Sequence, residues 1–123
     1  MLEAYGTSIE VTAESPISFQ SISVKKGCTA TMSGDSTISL NKKGVYMVSF
    51  NCTSSDATTV QLYKNGVAQP QAQGTGTTPS FTTLVQVDHD NSECCCSSPT
   101  TLQVLSSAAV TFVDANVVVT KLN

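Results

Sequence analysis

The chain has 123 residues, about one domain by length, with 40% hydrophobic but only 12% charged residues, a net charge of −3 and no Arg. That balance excludes the cationic footprint that nucleic-acid backbones require, and no apolar run approaches the roughly 20 residues of a membrane span, so neither nucleic acid nor membrane insertion is expected. With one His, His89, and no Trp, most catalytic constellations lack a member, so the expectation is a non-enzyme without cofactor or metal.

Polarity comes instead from 17 Ser and 17 Thr, a composition suited to strands and turns. The start, Met1-Leu2-Glu3-Ala4-Tyr5, has neither the basic nor the apolar stretch of a secretion signal, so synthesis in a cytoplasm is expected. Residues 1–15 contain three Glu and no clear core pattern, and Pro16 marks a boundary. They read as an extended N-terminal arm or attachment segment, followed by one domain over 16–123. On that arm Tyr5, Ile9 and Val11 are candidate anchors to a neighbouring subunit or a capsid; the alternative is an ordered first strand of the same domain.

Ile17 to Val24, Cys28 to Met32 and Thr37 to Leu40 read as short strands around the turns Lys25-Lys26-Gly27 and Ser33-Gly34-Asp35. The clearest strand runs from Gly44 to Thr53, with Tyr46, Val48, Phe50 and Cys52 on one face. Thr58 to Lys64 follows and stops at Asn65-Gly66, a type I′ hairpin signal because both residues accept positive φ; Val67 begins the return. After Pro70, Gln71 to Pro79 is polar and punctuated by Gly and Pro, which predicts a long loop. Within it Gly74, Thr75, Gly76, Thr77 and Thr78 form a candidate display loop.

Ser80 to Asp88 alternates again, with Phe81, Thr83, Val85 and Val87 on one face. His89 to Pro99 predicts a second polar loop, and Thr100 to Leu105, Ala109 to Phe112 and Asn116 to Leu122 complete the pattern. About ten short strands at turn spacings of about ten residues, with no helical period, predict an all-β antiparallel β-sandwich or barrel.

The cysteines are Cys28, Cys52 and the run Cys94, Cys95, Cys96. Adjacent side chains rarely converge on one tetrahedral ion, which disfavours Zn²⁺. A disulfide from Cys28 or Cys52 to one of the three, formed outside the reducing cytoplasm, and free thiols with Cys52 in the core both stay open. Asp88-His89-Asp90-Asn91-Ser92-Glu93 lacks the spacing of an EF-hand loop and reads as a solvated strand end. His89 has no nucleophile motif beside it. Asn51-Cys52-Thr53 matches a glycosylation sequon, but inside the clearest strand it reads as coincidence.

Asn41-Lys42-Lys43-Gly44-Val45-Tyr46-Met47-Val48-Ser49-Phe50 resembles the Gly-x-Tyr-x-Val-Ser-Phe strand of the C1q/TNF-like jelly-roll superfamily. Val60 to Val67 is similar to that group's hairpin, and Ser80 to Val87 with Thr101 to Val104 resembles its later strands in bacterial and phage members. The resemblance spans roughly Ile17 to Leu122. More narrowly, Tyr5 to Val11, Gly27-Cys28-Thr29-Ala30 and Val117 to Leu122 look like small head-fibre structural proteins of Firmicutes phages. This resemblance implies a jelly roll assembled as a homotrimer, located in the virion. Its implied partners are phage capsid or tail proteins, and a glycan or protein on the host surface. The alternative is a C1q/TNF-like adhesion domain of a bacterial surface or spore coat.

Overall fold

The computed structural model describes residues 1–27, 29–88 and 100–122. Among the described residues the chain forms eleven strands and no helix. They are β1 (Leu2–Val11), β2 (Ser15–Pro16), β3 (Ser21–Lys25), β4 (Ala30–Ser33), β5 (Thr37–Leu40), β6 (Gly44–Ser54), β7 (Thr58–Lys64), β8 (Val67–Gly76), β9 (Ser80–Val87), β10 (Thr100–Ser106) and β11 (Val110–Lys121). The first sheet has the order β3-β1-β11-β6-β9 and the second β4-β5-β10-β7-β8, with β2 paired on β10. All pairings are antiparallel. The expected all-β sandwich is therefore the observed architecture.

Alternation makes the sandwich. In β6, Tyr46, Val48, Phe50 and Cys52 are buried, and in β9 Phe81, Val85 and Val87 join them. The second sheet answers with Val60, Leu62, Leu102, Val104, Ile38 and Leu40, so both inner faces merge into one core. Phe50 sits at its centre, stacked on Phe81 at 5.5 Å and meeting Phe19 edge-on at 6.2 Å. Hydroxyls that enter the core are paired: Thr58 and Ser106 share a 2.8 Å hydrogen bond, and Ser106 donates to the Ala108 carbonyl.

Three segments differ from the sequence expectation. Leu2–Val11 is not an arm: it lies between β3 and β11, and Leu2, Ala4 and Ile9 are core residues. Its alternation is obscured because the ladder to β11 skips Ser8, at φ 51°, and Val113, which shifts the phase of both strands. The two expected strands from Ala109 and from Asn116 are accordingly one strand, β11, with a bulge between Phe112 and Asp114. Gln71 to Gly76, expected as loop, is most of β8, an edge strand on β7. Backbone pairing holds it while Ala72 alone among 70–76 is buried, so its side chains carry almost no apolar signal. Pro70 falls where the β7–β8 register shifts, a position an edge strand tolerates.

The Asn65-Gly66 turn is as expected. Both residues have positive φ, 52° and 81°, and Lys64 pairs directly with Val67. The Asn65 Oδ1 also accepts a 2.9 Å bond from the Thr101 amide, which ties the hairpin tip to β10.

Candidate functional site

The residues singled out in the sequence do not converge. Tyr5 is 42% exposed on the outward face of the first sheet, Ile9 is buried, and Val11 packs half-buried against the core. Only Tyr5 of the three thus presents its side chain freely. Gly74, Thr75 and Gly76 belong to β8, and Thr77 and Thr78 turn into β9, with the Thr77 carbonyl accepting from the Ser54 amide at 2.7 Å. That segment is an ordered strand end and a pinned turn.

Cys52 is buried, and its thiol points at the Pro79 carbonyl 3.5 Å away. Burial, and secondarily the Asp114 charge, pushes this thiol up to about 12, the behaviour of an inert core residue. Cys28, Cys94, Cys95, Cys96 and the stretch His89 to Glu93 lie outside the described residues. Asn51 is exposed on the outward face of β6. Among the described residues no group of three His, Cys, Asp or Glu is placed to hold a metal ion.

The feature the residue-by-residue reading missed is the outward face of the first sheet. Register places its side chains in rows: Tyr5, Asn116 and Asn51; then Glu3, Val118, Ser49 and Thr82; then Thr120, Met47 and Leu84; then Val45 and Gln86. Val24 extends the second row from β3, opposite Glu3. Leu84 is 59% exposed, while Met47, Val45 and Val118 are half-buried. A sheet with one solvated face normally alternates apolar and polar, whereas Val45-Tyr46-Met47-Val48 and Val117-Val118-Val119 are continuous apolar runs. Such runs are the sequence signal of a strand covered on both faces.

Within these rows Glu3 is the one charged side chain. Its carboxylate accepts from the Ser23 hydroxyl at 2.7 Å and from the Asn116 amide at 3.0 Å. These donors, Ser23 foremost, hold the Glu3 carboxyl below its ordinary range. The face is thus apolar at its centre and hydroxyl- and amide-rich around it, the composition of a protein–protein contact, with charge at its two ends: Asp114 in the row beyond Asn116, and Lys43, Asp88 and Lys121 around Val45 and Gln86.

No family model matches this sequence, and no curated protein matches it. Solved structures do match. The globular domain of zebrafish complement 1qA aligns with a TM-score of 0.68 at 9% identity, covering 95% of this chain and 94% of that one. Rabbit GITRL aligns at 0.61 and 12% identity over 100% of this chain and 95% of its own, and murine APRIL at 0.60 and 12% over 98% of each. At such identities the likeness is one of fold, and it extends over essentially the whole chain: the sandwich is a C1q/TNF-like jelly roll.

Proposed function

We propose that the protein is a non-enzymatic structural component of a phage virion, a homotrimer that decorates the capsid, as a head fibre does, or the tail. The observation that carries self-assembly is the outward face of the first sheet, where Val45, Met47, Leu84 and Val118 lie together beside Glu3, with the other charges at the ends of the face. Three copies packed through this face would cover it and leave the second sheet outward. The C1q/TNF-like fold supports that arrangement, and the resemblance of Tyr5 to Val11 and Val117 to Leu122 to head-fibre proteins supports the virion setting. Repetition of one weak contact on a rigid trimer would raise avidity for a glycan or protein on the host surface, or stabilise the particle.

Light scattering tests the assembly, with and without reductant. The expected mass is about 38 kDa, three times 12.8 kDa, and Leu84→Asp should bring it to that of a monomer while the far-ultraviolet spectrum stays that of a β-protein. A monomeric wild type, or a Leu84→Asp trimer, overturns this use of the face. Mass spectrometry of density-purified particles tests the setting. Recovery in a spore-coat or cell-wall fraction instead would favour a bacterial surface adhesion domain.

A further inference from the structure

The outward face of the second sheet has a different chemistry. Between β7 and β10 lies a cleft of about 130 Å³, lined by Glu14, Thr59, Gln61, Tyr63, Leu105 and Ser107. Thr59, Gln61 and Tyr63 alternate along β7 on the face away from the core, and Leu105 stands directly opposite Gln61. Glu14 reaches the rim from the turn before β2. It is held at φ 63° by its amide bond to the Ser106 carbonyl, 2.8 Å, and by the pairing of Ser15 and Pro16 on β10.

The walls are braced. Thr59 shares a 3.0 Å bond with Thr75 and gives its amide to the Ser107 hydroxyl at 3.2 Å, while the Gln61 amide nitrogen donates to the Gln69 carbonyl at 3.3 Å. This orientation leaves the Gln61 carbonyl oxygen available. Neither the Tyr63 hydroxyl nor the Glu14 carboxylate bonds to any described residue. Among the described residues no cation lines the cleft, and the neighbouring Lys64 is engaged elsewhere, on the Gln86 carbonyl at 2.8 Å.

We infer that this cleft binds a neutral sugar ring. Two acceptors, the Glu14 carboxylate and the Gln61 carbonyl, suit vicinal hydroxyl donors, and the Tyr63 hydroxyl both gives and takes. The Tyr63 ring and Leu105 offer an apolar surface to the C–H face of a pyranose. An anion is disfavoured because Glu14 is the only charge among the described residues that line the cleft. The cleft is small and half-open, which suits one ring seated by one face, so affinity per site is weak and display in several copies multiplies it. The avidity rests on the proposed trimer; the site itself does not.

Amide spectra of the isotope-labelled protein, titrated to tens of millimolar with methyl glucoside, methyl galactoside, N-acetylglucosamine and, as the anionic control, inorganic phosphate, test the inference. Saturable shifts confined to Thr59, Gln61, Tyr63, Leu105 and Ser107 with a neutral sugar are expected. Tyr63→Ala should weaken them by about tenfold; Tyr63→Phe and Gln61→Leu, which conserve volume, should weaken them while the rest of the spectrum stays unchanged. No saturable shift in the cleft with any of the three sugars, stronger binding of phosphate, or shifts centred on Gly74 to Thr78 overturns it. A monomer that binds sugar removes the trimer alone, and a trimer that does not removes the cleft alone.

Discussion

Phe50 and Glu3 occupy opposite faces of the same sheet and depend on different physics. Phe50 is 1% exposed and touches aromatic rings from two other segments, so its truncation loses both transfer energy and packing. Phe50→Ala should therefore cost about 3–5 kcal/mol in a denaturant titration. Glu3 matters only when ionised, because Ser23 and Asn116 donate to its carboxylate and hold its folded value below the ordinary 4.5. A depressed value contributes stability that is complete above the unfolded value and lost as pH falls through the folded one. Wild type should accordingly be more stable than Glu3→Gln at neutral pH, and the difference should disappear in strong acid. The buried position of Phe50 was readable from the alternation of β6, whereas the donors on Glu3 come from positions 23 and 116, which only the folded chain brings together.

Among the strands, β8 best separates what pattern reveals from what it hides. A central strand must bury one face and so alternates visibly, but an edge strand can be held by its backbone with few apolar side chains. Gly74 shows what else holds β8: a Cβ there would lie 2.5 Å from the Ser80 carbonyl oxygen and 2.7 Å from its nitrogen, both backbone atoms that cannot swing aside. Gly74→Ala should lower stability by about 1–3 kcal/mol, measured as a shift in denaturant midpoint. In the sequence Gly74 read as part of a display loop; in the fold its backbone lies close against that of Ser80, where β8 and β9 of the two sheets approach each other. β1 hid for another reason, since the irregularity at Ser8 breaks the alternation on which strand recognition depends.

At the scale of the molecule, two sheet faces remain after the core is formed, and they differ in chemistry. The first carries Met47, Leu84 and Val118 at its centre with the Glu3 carboxylate beside them, and the second carries amides, hydroxyls and Tyr63. Solvation would be costly for the first and easy for the second, which is why assembly is assigned to one and sugar recognition to the other. The all-β class, the Asn65-Gly66 hairpin and the buried sides of β6 and β9 followed from the amino-acid order alone, because period-two alternation and turn chemistry are local properties. The pairing order of the sheets, the inclusion of Leu2–Val11 between β3 and β11, the outward apolar rows and the cleft below Glu14 required the folded chain. Each joins residues tens of positions apart, and strand register, not sequence distance, decides which side chains become neighbours.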